Sequence, residues 1–417
     1  MKKWLTGIIT LLLVLSTVTA AIAQNGKEKQ KGKFRLGVEV LLKDQIDLLK
    51  GKRVGLITNP TGVDQELNSI VDLFYTHKDF QLTALYGPEH GVRGSAPAGA
   101  YVESYVDEKT GLPVYSLYGK TQKPSPEMLS NVDVLVFDIQ DVGARFYTYI
   151  YTMALAMEAA KEQNIPFIVL DRPNPVSGSK VEGPILESKY SSFVGKYAIP
   201  VRHGMTVGEL AKLFNKEFGI GANLTVVEME GWNRSLYYDD TPLHFVMPSP
   251  NMPTLDTALV YTGAALIEGA DNVSEGRGTT RPFELIGAPF IDGDELAAEL
   301  NALNLPGVKF RSASFIPTTS KNVSKLNHGI QIHVTNRNAF KPFETGLHIV
   351  KTIHDMYPND FKFRARDSKG VSHFDLLVGN GWVRDGIEAG KSIEEMKKQW
   401  QPELDKFMDV REQYLLY

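Results

Sequence analysis

Two short stretches, Val132–Phe137 and Ile165–Leu170, are nearly uninterrupted runs of Val, Ile, Leu and Phe, and they limit the fold more than any other feature of the chain. A strand with one face in water alternates apolar and polar residues, whereas a strand covered by helices on both faces has no need to. Around these runs, β-type segments alternate with helical ones: Arg53–Thr58, Glu66–Tyr75, Gln81–Tyr86, Pro113–Tyr118, Val132–Asp138, Tyr147–Gln163 and Pro166–Leu170. That rhythm predicts a parallel α/β sheet. Thr206 with Glu209 three residues on has capping-box spacing and predicts a helix over Met205–Gly219. The first domain is expected over residues 34–235, and the Pro-, Asp- and aromatic-rich stretch 236–253 as a crossing linker. Beyond it, helices over Thr254–Glu268, Asp294–Leu303, Glu344–Met356 and Ile393–Phe407 and strands over Val308–Phe315 and Gly329–Thr335 predict a smaller, mixed α/β domain, residues 254–417. A cleft between two such domains is a common ligand site.

Composition narrows the chemistry. None of the 417 residues is Cys, which excludes disulfides, thiolate zinc sites, a Cys nucleophile and a lipidated Cys anchor. The N-terminus joins Lys2 and Lys3 to an apolar run from Leu5 to Ile22 and small residues at Ala21-Ile22-Ala23, the three-part pattern of a secretory signal over 1–23. Residues 24–33 are a polar tether, and the mature protein is expected to be secreted. The alternative is an uncleaved anchor, because the run approaches the roughly 20 residues that span a bilayer. No second apolar stretch of that length follows, so no membrane contact is expected after cleavage. Losing Lys2 and Lys3 from a chain of formal charge -4 leaves 43 basic against 49 acidic residues, or -6. That balance argues against nucleic acid as a partner.

In an open parallel sheet the ligand sits beyond the carboxyl ends of the strands. Four polar clusters follow predicted strands: Thr58–Gly62, Gly87–Gly94, Asp138–Tyr147 and Asp171–Pro175. No G-x-G-x-x-G follows the first strand and no G-x-x-x-x-G-K-[ST] occurs, so nucleotide cofactors lose support and none is expected. Metal is not expected either, since there is no H-E-x-x-H and the odd spacing of His328 and His333 puts them on opposite faces of a strand. Ser177-Gly178-Ser179-Lys180 matches S-x-x-K only within a Pro- and Gly-rich loop. Carboxylates remain, and glycoside hydrolysis needs two of them without cofactor or metal.

Glu89, between Pro88 and His90 at a strand end, is the first candidate for the acid; the bland alternative is a loop carboxylate paired with Arg93. Asp138, Gln140, Asp141 and Arg145 would meet sugar hydroxyls or carboxylates, with Tyr147 as an aromatic platform, although Asp138 serves equally well as a cap or turn acceptor. Tyr149 and Tyr151 are better read as the packed face of the next helix. In the second domain, Asn272–Glu284 has the same density of Gly and charge and would form the opposite wall. Glu275 is the better second carboxylate there, while Glu284 is placed to pair with Arg281. Pro248–Pro253 is either a stiff linker or a loop that presents Asn251 to substrate.

Taken together, GPEHGVRG, VFDIQDVGARFYTY, DRPNP, PSPNMPT and SEGRGTTRPFE resemble the exo-acting β-N-acetylmuramidases of bacterial cell-wall recycling, across nearly the whole mature chain. The resemblance implies a Rossmann-like N-terminal domain, a smaller C-terminal domain and a cleft between them. It also implies removal of N-acetylmuramic acid from the non-reducing ends of peptidoglycan fragments, so saccharides and muropeptides are the expected partners. Carried over as cleft residues are Glu89, His90, Asp138, Gln140, Arg145, Asn174, Asn251, Glu275 and Arg277. A secreted two-domain protein that binds such fragments without cleaving them is the rival reading.

Overall fold

The computed structural model describes residues 34–94 and 103–417, so the expected signal segment 1–23 and tether 24–33 lie outside the described residues. Strands β1 (Arg53–Thr58), β2 (Gln81–Gly87), β3 (Tyr105–Val106), β4 (Pro113–Ser116), β5 (Val134–Asp138), β6 (Phe167–Leu170), β7 (Glu182–Ile185), β8 (Pro200–Arg202) and β9 (Leu224–Val227) come from the first part of the chain. Seven of them form one sheet in the order β3-β4-β2-β1-β5-β6-β9, parallel except for the β3–β4 edge. Strands β7 and β8 form a separate antiparallel ribbon.

Side chains of the central strands alternate between two apolar cores, and both are buried. On β5, Val134 and Val136 join the core beneath the helices Gly37–Asp44 and Ile70–Tyr75, while Leu135 and Phe137 join the one beneath Tyr149–Glu162 and Val207–Glu217. On β6, Ile168 and Leu170 face the first core and Phe167 and Val169 the second. Each such side chain stabilises the fold by roughly 1.5–3 kcal/mol relative to exposure. No position on β5 is therefore free for a charge until Asp138 at its end. The chain winds from β1 outward through β2 to β4, then returns to β5 on the other side of β1. The gap between β1 and β5 is the topological switch point, where crevices open beyond the strands' carboxyl ends.

The second domain carries an antiparallel sheet of β10 (Leu285–Ala288), β11 (Val308–Phe315) and β12 (Asn327–Val334) in the order β10-β12-β11. Helices Leu255–Ala264 and Pro342–Met356 cross where Gly263 meets Gly346, and a Cβ on either would overlap the other helix's backbone. The final helix, Ile393–Glu412, returns to the first domain, where Arg411 Nη2 donates to the Gly204 carbonyl (2.7 Å) and Leu416 N to Glu209 Oε1 (2.9 Å).

Helix Val207–Glu217 has the expected capping box, with Glu209 N donating to Thr206 Oγ1 and Thr206 N to Glu209 Oε2. The helical reading of Glu66–Tyr75 holds only from Ile70. Asp64 Oδ1 accepts the N–H groups of Glu66 and Asn68 and Leu67 sits at φ +63°, so a side-chain-capped turn replaces the first helical turn. Strands β7, β8 and β10 and the short helices His373–Val378 and Trp382–Glu388 were not expected from the sequence.

Candidate active site

The turn after β2 displays Glu89. Gly91 N closes it on the Pro88 carbonyl (2.9 Å), and His90 and Gly91 both lie in the left-handed region, at φ +74° and +76°. A non-glycine residue there costs of order 1–3 kcal/mol, strain that is commonest at functional sites. Glu89 is half-buried and lines a cleft of about 1240 Å³, whereas His90 is buried. Arg93 is not its partner: Arg93 Nε and Nη2 donate to Asp107 Oδ1 and Oδ2, each at 2.9 Å. The Tyr118 hydroxyl meets Glu89 instead; burial, with the Glu89 charge and hydrogen bond adding, pushes that phenol up to about 12.

Asn251 from the crossing loop also lines the cleft, and the far wall brings Glu275 and Arg277. Glu275 is buried, with Arg277 Nε 3.3 Å from Oε1 and Lys321 Nζ 3.0 Å from Oε2, and the Ser320 hydroxyl donates to Oε1 (3.3 Å). The Lys321 contact is an ion pair off hydrogen-bond alignment, so Oε2 has charge compensation without a directed donor. Arg277 Nη2 reaches Glu268 Oε1 (2.6 Å), and its guanidinium lies 4.9 Å over the Phe283 ring. Burial disfavours the Glu268 carboxylate, but His373 and Arg277 outweigh it and hold its pKa at about 2. Glu268, Arg364 and His373, all cleft residues, escaped the sequence reading. Glu268 was within its reach as the last residue of a predicted helix, seven positions before Glu275. Arg364 and His373 arrive from distant chain and carry no local signal.

The other candidates lie elsewhere. Asp138 ends β5 fully buried, forked against Arg172 through Nε and Nη2 (2.9 Å to Oδ2), so it is a structural ion pair and not a cleft carboxylate. Arg145 is fully buried and bonded to carbonyls, Nη1 to Pro184 and Ile199 (3.1 Å each) and Nη2 to Leu377 (2.6 Å). Burial lowers its pKa to about 10; it ties the two domains together and does not line the cleft. Asn174 holds a turn, accepting from Val176 N and donating to the Met205 carbonyl. Gln140 donates to the carbonyls of Asp141 and Pro173, and Asp141 accepts from Gly143 N (2.7 Å) beside His203 (3.2 Å). These five are absent from the cleft lining, and Glu284 pairs with Arg281 (3.0 Å).

Tyr147 is buried in an aromatic path between the domains. It makes edge contacts with Tyr149 (5.0 Å) and Tyr261 (5.7 Å), and Tyr261 makes one with Phe283 (4.8 Å). Burial raises all three tyrosines well above the ordinary phenol range, so they act as neutral packing groups. Among the described residues, no cluster of three or more His, Asp and Glu side chains is placed to hold a metal ion.

Comparison with known proteins agrees with this architecture. Residues 54–256 match the N-terminal family model of the exo-β-N-acetylmuramidase NamZ, and residues 259–417 match its C-terminal model. The chain is 58% identical to the peptidoglycan β-N-acetylmuramidase NamZ of Bacillus subtilis, covering 100% of both chains. Two crystal structures of DUF1343 family proteins from Bacteroides fragilis share the fold, one at TM-score 0.84 and 40% identity and one at 0.74 and 32%. Each comparison covers 92% of this chain and 99% of the other. Binding without cleavage thereby yields to catalysis: the chain belongs to the exo-β-N-acetylmuramidase family of glycoside hydrolases that act on peptidoglycan.

Proposed function

We propose that the protein is secreted and removes single N-acetylmuramic acid units from the non-reducing ends of peptidoglycan fragments, with Glu89 as proton donor. The N-terminal signal pattern supports export. The observation that carries the mechanism is the setting of Glu89: it projects from a strained turn at the carboxyl edge of the sheet into the cleft, while Asp138, the rival carboxylate at the same edge, is locked against Arg172. Glu89 passes its proton to the glycosidic oxygen as the bond to the anomeric carbon breaks. Water adds to that carbon and returns a proton to the site. Glu275, the expected second carboxylate, lies between Arg277 (3.3 Å) and Lys321 (3.0 Å), so its role is to hold those cations in place on the opposite wall.

A positioned acid typically contributes about 10²–10⁴-fold. Glu89→Gln keeps size and hydrogen bonding but cannot donate the proton, and it is expected to slow cleavage of a natural disaccharide by at least the low end of that range. Bond cleavage in an activated aryl muramoside, whose leaving group needs less protonation, is expected to suffer far less. Equal large losses on both substrates would assign Glu89 to the anomeric side. A correctly folded variant active on both would remove it from the chemistry.

A further inference from the structure

N-acetylmuramic acid differs from N-acetylglucosamine by a lactyl ether that ends in a carboxylate, so a site selecting it must hold a negative charge. The basic side chains in and beside the cleft are mostly committed. Arg277 is held by Glu268 (2.6 Å) and Glu275 (3.3 Å). Lys321 is held by Glu275 (3.0 Å) and by the carbonyls of Ile267 (2.7 Å) and Val273 (3.0 Å). His373 lies beside Glu268 (3.4 Å). Arg364 also lines the cleft, and its guanidinium makes no hydrogen bond or ion pair among the described residues.

Its backbone is nonetheless fixed. Arg364 N donates to the Gly269 carbonyl (2.9 Å), Arg384 Nη1 donates to the Arg364 carbonyl (2.9 Å), and the preceding Phe363 packs edge-on to Phe374 (5.0 Å). The side chain therefore projects from a rigid root, which lowers the ordering cost of using it. Two carboxylates, Glu268 and Glu275, hold Arg277 and Lys321 on this wall, and the positive charge of the exposed Arg364 is left without a carboxylate partner among the described residues. Lys321 registers it: burial is the main cause of its lowered pKa, and the Arg364 charge adds to the lowering.

We propose that Arg364 is a specificity-determining residue that receives the lactyl carboxylate of N-acetylmuramic acid. A planar guanidinium matches a carboxylate in a two-point contact, and the bound anion relieves the repulsion between Arg364 and Lys321. The inference rests on the proposed substrate, so its test needs a readout apart from turnover. Calorimetric binding of free N-acetylmuramic acid and N-acetylglucosamine supplies one, and turnover of a muramyl disaccharide and its lactyl methyl ester supplies the other.

Arg364→Ala is expected to weaken binding of N-acetylmuramic acid roughly 10- to 100-fold, to leave binding of N-acetylglucosamine unchanged and to lower kcat/KM on the free acid but not on the ester. Arg364→Lys is expected to recover part of the loss, because it restores the charge without the fork. Equal losses for acid and ester, or an unchanged preference for N-acetylmuramic acid in Arg364→Ala, would overturn the assignment. So would a loss confined to fragments whose lactyl group bears a peptide, which would place a peptide carboxylate at Arg364. A wild-type protein that binds N-acetylmuramic acid selectively through Arg364 yet releases no monosaccharide would overturn the exo reading while sustaining this one.

Discussion

Gly263→Ala tests how tightly the far wall of the cleft is anchored. In a solvent-facing helix this change stabilises by about 1 kcal/mol, because glycine is the poorer helix former by that amount. Here the new methyl would overlap the Pro342 carbonyl oxygen, lie 2.7 Å from the Pro342 carbonyl carbon and 3.0 Å from Gly346 N. All three atoms are backbone, so no side chain can turn aside and the helices Leu255–Ala264 and Pro342–Met356 must separate. Overpacking typically costs about 1–3 kcal/mol, and a backbone-only clash belongs at the upper end. Set against the propensity gain of about 1 kcal/mol, the expected net loss is about 2 kcal/mol. Urea unfolding with linear extrapolation reads it directly. The double variant Gly263→Ala, Gly346→Ala is expected to lose less than the sum of its parts, since the first substitution already parts the helices. Because Gly263 precedes Glu268 by five residues on the same connection, activity is expected to fall with stability. A Gly263→Ala protein as stable as wild type, or more so, would refute the tight crossing.

Two further substitutions probe the first domain. Burial, with Glu209 adding, raises the Asp171 carboxyl to about 7, so the unfolded chain loses that proton first and the stability held below its ordinary pKa of 3.8 drains away as pH climbs to about 7. Asp171→Asn is expected to flatten the fall in urea midpoint between pH 4 and pH 7, and an unaltered slope would count against the raised carboxyl. Arg172→Met leaves Asp138 buried and unpaired and is expected to cost about 3–5 kcal/mol, most of it recovered by adding Asp138→Leu; a loss under 1 kcal/mol by the same unfolding assay would show that water reaches the pair.

The sheet was legible because burial on both faces writes a run that alternation cannot, as in β5 and β6, and because the Thr206–Glu209 box is a local signal. Strand β11 occupies the expected Val308–Phe315. The site was legible only in part. Glu89 and Asp138 look alike in sequence, as carboxylates that close or follow apolar strands, and what separates them is Arg172, thirty-four positions beyond Asp138. Arg145 sits in a polar cluster as a binding residue would, yet its partner carbonyls come from residues 184, 199 and 377. Arg364 and His373 reach the cleft through the turn of the chain after helix Pro342–Met356, which no spacing rule near Glu275 foretells.

One apolar core runs without a break from Phe137 and Tyr151 beneath the parallel sheet to Leu347, Phe374 and Trp400 in the C-terminal half. Arg145 to Leu377, Arg411 to Gly204 and Arg337 to Asp240 (2.6 Å) bridge the same seam with polar links. The two halves therefore share one buried surface. A recombination that paired this N-terminal half with the C-terminal half of a distant relative would have to match a whole buried surface, as well as the few side chains that touch the sugar. Exchanging single residues along the rim of the cleft, by contrast, leaves that surface intact.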